Sequence, residues 1–117
     1  MNALSRNCQE LGNHRTIQAL WSIVDKEVPS LVFLTETKIP RKQQQKMKDI
    51  QSSIGFTQGL IVPSEGWSGG LALLWKPETC VNIRGYLKWF IDAKIGSNCD
   101  QGGWRFTGFY GQPDTSK

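Results

Sequence analysis

Leu31-Val32-Phe33-Leu34-Thr35-Glu36-Thr37-Lys38 is the stretch on which the fold turns. Its first four residues are apolar without a break, the pattern of a strand covered on both faces. Its last four are polar and include one carboxylate and one amine. A doubly covered strand of this kind pairs in parallel across a helical crossover, and the residues before it supply one. Ile17, Leu20, Trp21, Val24 and Val28 recur at the spacing of one helical stripe. Asn13, after Gly12, has the side chain of an N-cap, and Pro29 stops the helix. Upstream, Asn2 to Ser5 opens a short strand that closes at Asn7. Strand, helix and buried strand predict a βαβ unit with a right-handed crossover.

Working outward, Pro40 stands at a first helical position and predicts a second, polar helix running to Ile50. Beyond Gly55 the pattern becomes β-prone in short runs: Phe56 to Val62, Gly70 to Trp75, Val81 to Tyr86, Trp89 to Ile95 and Trp104 to Tyr110. Gly, Pro, Asn and Asp clusters separate them, which predicts an antiparallel meander. Trp67, Trp75, Trp89 and Trp104 could stack bases, but their alternation with polar neighbours favours core packing. No repeat or linker interrupts the chain, so residues 1–117 read as one domain or part of one, at the usual size.

A hydrophobic share of 38% with five Trp and five Phe excludes disorder. The longest apolar run, Leu71 to Trp75, is far below the about 20 residues of a membrane span. Met1 to Arg6 has no basic segment leading into an apolar one, so no signal peptide is read. The net charge is +4 and the pI about 9.1. Lys38, Arg41, Lys42, Lys46 and Lys48 put five positives within eleven residues. Such a run suits phosphate neutralisation, or is simply a solvated helix face. Cys8, Cys80 and Cys99 form no C-x-x-C pair and are expected to be reduced and buried. A zinc site made of them with His14 requires a chance convergence of four residues. His14 itself falls in the cap region of the first helix. Ser68-Gly69-Gly70 is too short for a phosphate loop and reads as a turn.

Parallel βαβ units bind ligands outside the carboxyl ends of their strands. Asn7 ends the first strand and Glu36 the second, so an amide and a carboxylate converge there if the strands are neighbours. Each taken alone is also an ordinary turn or strand-end residue. A carboxylate followed by Lys38 can hold a hard cation, and an amide can orient a phosphate oxygen. Mg²⁺ needs only one or two carboxylates, with water and phosphate completing its shell. Tyr110 closes the last strand, where a phenol either donates to a phosphate oxygen or packs with a wet tip.

Four ordered segments carry a resemblance: Asn7-Cys8 with Leu11-Gly12; Leu31 to Lys38; Gly69-Gly70-Leu71-Ala72-Leu73-Leu74-Trp75; and Phe106-Thr107-Gly108-Phe109-Tyr110-Gly111. Together they resemble the endonuclease/exonuclease/phosphatase superfamily. The nearest likeness is to the apurinic-endonuclease-like nuclease domain of plant LINE-type (non-LTR) retrotransposons. The resemblance implies a Mg²⁺-dependent phosphodiesterase that nicks DNA, built as a four-layer α/β/β/α sandwich of which residues 1–117 form the N-terminal half. By it, Asn7 matches the active-site asparagine, Glu36 the metal-binding glutamate and Tyr110 the active-site tyrosine. It also implies DNA as partner and a nuclear location if functional. The lack of a signal peptide and of a membrane span in the sequence gives the expectation of an intracellular protein with no membrane association. Arg6, Gln9-Glu10, Phe90 and Gln112 depart from the family pattern, and the aspartates and histidine of its second half have no match here. The expectation is therefore a truncated endonuclease domain inactive alone, or a non-catalytic remnant that binds nucleic acid weakly through the basic run. Without a second half, the faces of Leu71 to Trp75 and Phe106 to Tyr110 are expected to lack a partner layer and to favour self-association.

Overall fold

The computed structural model describes residues 2–66, 68–96 and 103–110; Trp67, Cys99 and Gln112 lie outside them. β1 (Ala3–Asn7), α1 (His14–Glu27) and β2 (Leu31–Thr35) form the expected crossover unit, with β1 and β2 parallel and Asn7 opposite Thr35. Asn13 caps α1, its Oδ1 accepting the Arg15 amide at 2.8 Å, and His14 is the first helical residue. Val28 ends α1 in the left-handed region (φ 47°), its amide donating to the Val24 carbonyl at 2.9 Å. Leu20 and Val24 carry the packing of the predicted stripe. Trp21 and Val28 instead flank an open groove against the end of the second helix and Lys76.

Pro40 opens a 3₁₀ turn (Arg41–Gln43) that leads into α2 (Gln44–Ser53). The remaining strands are β3 (Gln58–Val62), β4 (Leu71–Trp75), β5 (Cys80–Leu87), β6 (Phe90–Gly96) and β7 (Trp104–Phe109). The predicted single meander divides between two sheets. β3 and β4 join the first, whose order is β1-β2-β4-β3, and β5-β6-β7 form the second. The reason lies in β4: Leu71 to Leu74 are all fully buried, so β4 must lie inside a sheet covered on both sides.

Side chains alternate across a strand, so β2 and β4 serve two cores. Val32, Leu34, Ala72 and Leu74 pack under Leu20 and Val24 of α1 and Met47 and Ile50 of α2. Leu31, Phe33, Leu71 and Leu73 pack against Ile91, Ala93 and Ile95 of β6. The described residues thus form three layers: helices, a four-stranded sheet and a three-stranded sheet. This corrects the expectation that Leu71 to Trp75 lack a partner layer, because the β5–β7 hairpins already fold back over them. Phe106 meets Phe33 edge-on with ring centroids 5.3 Å apart. Gly108 lies against the Phe33 ring, where a Cβ would come within 2.6 Å of two ring carbons.

Of the three described tryptophans expected in the core, one follows and two do not. Trp75 is half-buried against the inter-sheet core, whereas Trp89 and Trp104 are exposed. Cys8 is a free, buried thiol whose pKa burial pushes up to about 11. Cys80 is disulfide-bonded, against the expectation of reduced cysteines. Among the described residues no helix is long and apolar enough to cross a membrane.

On the outward face of the second sheet, Asp92 is buried beneath its neighbours. It accepts from Arg105 Nε at 2.9 Å, Arg105 Nη2 at 2.6 Å and Thr107 Oγ1 at 3.1 Å. The Arg105 bond, first among the causes, holds the Asp92 pKa below its ordinary 3.8.

Two outcomes are expected. Gly108→Ala should lower the unfolding free energy by about 1–3 kcal/mol, the usual range for overpacking, since the added methyl forces the buried Phe33 ring to shift. Urea titration followed by tryptophan fluorescence measures it. The depressed Asp92 pKa contributes stability that is present above its unfolded value and is lost as pH falls below about 4. Acid titrations of wild type and Asp92→Asn should therefore diverge above that pH and converge below it.

Candidate functional site

The carboxyl ends of β1 and β2 are held together beyond the strands themselves. Cys8 N donates to Thr35 O at 2.8 Å, Glu10 N to Glu36 O at 2.8 Å and Leu11 N to Thr37 O at 2.9 Å. Leu11 and Thr37 are buried and anchor the two loops. Of the five described non-glycine residues with positive φ, four lie in these loops: Gln9, Glu10, Glu36 and Lys38. Such conformations cost about 1–3 kcal/mol each and persist only where the surroundings over-determine them. The ladder of loop amides supplies that over-determination from one side.

The Gly69-Gly70 pair supplies it from the other. Their carbonyls accept the amides of Lys38 at 2.9 Å and Thr37 at 3.2 Å. Both glycines have positive φ (82° and 95°), and a Cβ on Gly70 would collide with Thr37 Oγ1. The segment read from sequence as a turn is therefore a clamp on the Glu36 loop.

Held this way, the Glu36 side chain is half-buried, and its Oε2 accepts a hydrogen bond from the Tyr110 hydroxyl at 3.1 Å. The two residues are 74 positions apart. The Tyr110 amide donates to the Trp89 carbonyl at 2.8 Å, so the phenol is placed by the second sheet and the carboxylate by the first. Burial, then the adjoining Glu36 carboxylate, raises the Tyr110 pKa and keeps the phenol a neutral donor. Glu36 Oε1 has no described partner, which leaves it the atom able to meet a cation. No three metal-ligating acid, thiol or imidazole side chains converge among the described residues.

Asn7 stands on the strand end next to Glu36 but does not join it. Its Oδ1 accepts the Gln9 amide at 3.1 Å, and it lines a separate depression with Arg6, Arg15 and Thr16. Asn7 hydrogen-bonds neither Glu36 nor Tyr110, because the left-handed Gln9 turns its amide back onto the strand end. Arg6 is exposed and costs the fold no buried charge.

The basic run divides as well. Lys38, Lys42 and Lys46 line one groove of about 470 Å³ together with Glu10 and Gly12. The Lys46 ammonium lies 2.9 Å from where a Gly12 Cβ would stand. Arg41 and Lys48 are exposed and do not line that groove, since the 3₁₀ turn and the helical repeat direct them elsewhere. Sequence reading missed the Gly69-Gly70 clamp, the Glu65–Lys88 ion pair (3.0 Å) and the Asp92–Arg105–Thr107 cluster. Only Asp92 left a sequence signal, an acid set between apolar neighbours in a β-run.

No family model and no curated protein matches the chain. Among solved structures it is similar to an AP endonuclease from Leishmania major, with a TM-score of 0.64 and 12% identity. The match covers 92% of this chain and 38% of that one. At so low an identity the likeness is one of fold: the two helices and two sheets described above adopt part of the α/β fold of that nuclease.

Proposed function

We propose that the chain is part of a divalent-metal-dependent DNA phosphodiesterase, in which Glu36 holds Mg²⁺ and Tyr110 positions the scissile phosphate. The single observation that carries this is the Tyr110–Glu36 hydrogen bond, made between two sheets at the carboxyl end of a parallel strand pair. That is where βαβ folds bind ligands. The likeness in fold to an AP endonuclease supports DNA as the substrate. The ordered motifs around Asn7, Glu36, Gly70 and Tyr110 support descent from the nuclease of a LINE-type element. The outward row Leu87–Phe90–Phe109, paired across β5, β6 and β7, supports a further layer over the second sheet, as in a four-layer sandwich. Leu87 and Phe109 are 50% and 64% exposed there.

The donor set fits the cation modestly. One carboxylate oxygen is engaged by Tyr110 and the other is available, and Mg²⁺ commonly takes one or two carboxylates with water and phosphate. When bound, the cation supplies Lewis-acid stabilisation of a phosphate oxygen. The residues of this chain do the rest of the positioning. Tyr110, kept protonated, donates to a phosphate oxygen or to Glu36; the Asn7 amide would have to leave Gln9 to reach the same phosphate. Lys38, Lys42 and Lys46 neutralise flanking phosphates. No described side chain at the site is placed to deprotonate water. The observation that Asn7 is turned onto Gln9 favours a second reading, a non-catalytic remnant that retains cation and DNA contacts.

Both readings predict metal binding without turnover. Mn²⁺, read by water-proton relaxation as a stand-in for Mg²⁺, should bind the wild type weakly and be lost in Glu36→Gln; equal binding by the two chains overturns the role of Glu36. Supercoiled or abasic DNA should not be nicked above background with Mg²⁺, because a missing general base alone costs about 10²–10⁴-fold. EDTA-sensitive nicking abolished by Glu36→Gln would overturn the expectation of inactivity.

DNA binding should be salt-sensitive and indifferent to sequence. Lys42→Gln and Lys46→Gln should each lower the log–log salt slope by about one, whereas Lys48→Gln should leave it unchanged. Equal slopes for all three variants would make the groove mere solvated surface.

A further inference from the structure

Next to the Tyr110–Glu36 contact lies a second cavity, of about 340 Å³, that the phosphate reading leaves unused. Pro63, Glu65, the Ser68-Gly69-Gly70 turn, Lys88, Trp89 and Tyr110 form its walls. Leu87 pairs with Phe90, so Lys88 and Trp89 are the two residues of the tight β5–β6 turn. An indole at a hairpin tip is normally placed either to close a core or to meet a partner. Trp89 closes no core: it is 40% exposed and stands outside both apolar clusters.

Its position is nevertheless held. The Trp89 carbonyl accepts the Tyr110 amide, and the Phe90 ring lies tilted beside the indole with centroids 6.4 Å apart. Lys88 Nζ donates to Glu65 Oε1 at 3.0 Å, which ties the hairpin tip to the loop ahead of β4. Gly69 and Gly70 contribute backbone to the lining, fixed by the same bonds that clamp the Glu36 loop. An exposed aromatic surface, a phenol and an ammonium group that balances the Glu65 carboxylate suit a planar ring joined to a phosphate at its edge. The volume is at the low end of the roughly 300–1,000 Å³ of small-ligand sites, right for one nucleotide and too small for a peptide helix.

We propose that this cavity takes a nucleobase of the DNA strand, stacked on Trp89, beside the phosphate addressed by Glu36 and Tyr110. The assignment rests on the reading of that pair as a phosphate site. Every base presents a π-face, so stacking here gives affinity and register without sequence preference. Lys88 adds charge toward the adjoining phosphate when it leaves Glu65.

A short DNA strand carrying one 2-aminopurine tests the proposal, at low salt and in EDTA so that cation binding plays no part. Its fluorescence should be quenched saturably by the wild-type chain. Trp89→Leu should weaken binding by about 5- to 100-fold and remove the quench, the range found for loss of one base–aromatic stack. Trp89→Tyr should restore most of both. Equal affinity and quench for wild type and Trp89→Leu overturns the proposal. Competition on the wild-type protein decides the matter if the leucine variant does not fold: a strand of abasic residues should compete poorly, and one that competes as well as a base-bearing strand overturns the pocket. Quenching without Mn²⁺ binding at Glu36 would sink the metal reading and leave the pocket standing; Mn²⁺ binding without quenching would do the reverse.

Discussion

Burial of β2 and β4 on both faces is the constraint from which the rest of the molecule follows. Leu31 to Leu34 and Leu71 to Leu74 are at most 2% exposed, and strand alternation sends half of them to each side. Leaving either set uncovered would forfeit about 25 cal/mol for every Å² of apolar surface returned to water. Helices must therefore cover one face and a second sheet the other. The helices come from amphipathic segments flanking β2, and the second sheet comes from hairpins that follow β4. Once both are docked, the ends of β1, β2, β4 and β7 are fixed relative to one another.

That fixation is what permits a strained loop at the site. Glu36 and Lys38 are held at φ values that ordinary residues avoid, with β1-side amides on one flank and the Gly69-Gly70 carbonyls on the other. From the loop so held, the half-buried Glu36 carboxylate accepts the Tyr110 hydroxyl. Because the phenol hangs from the second sheet, the contact forms only when the inter-sheet core is closed. The site therefore reports on the packing of the whole fold.

One loop serves three surfaces. Glu36 meets Tyr110; the side chain of Lys38 enters the cationic groove with Lys42 and Lys46; and the Lys38 amide bonds Gly69, a wall of the Trp89 cavity. Three clustered cations, a phenol–carboxylate pair and an exposed indole thus adjoin one another. Their proximity is geometric, since the residues are scattered from position 36 to position 110.

The local pattern of the chain determined the crossover unit, the Asn13 cap, the β-prone runs and the placing of Glu36 at a strand end, because periodicity, capping chemistry and the Leu31 to Leu34 run act within a few residues of themselves. It also showed five clustered positives, since charge is visible without a fold. Which of them share a groove depended on how the 3₁₀ turn before α2 directs Arg41, and the helical repeat of α2 directs Lys48, away from Lys38, Lys42 and Lys46. The division of the strands into two sheets, the clamp by Gly69-Gly70, the turning of Asn7 onto Gln9 and the meeting of Tyr110 with Glu36 were decided by the tertiary structure alone. Each depends on backbone conformations or on contacts between elements far apart in the chain. No periodicity in the sequence encodes the distance between a carboxylate and a phenol 74 residues away; only the docking of one sheet on the other sets it.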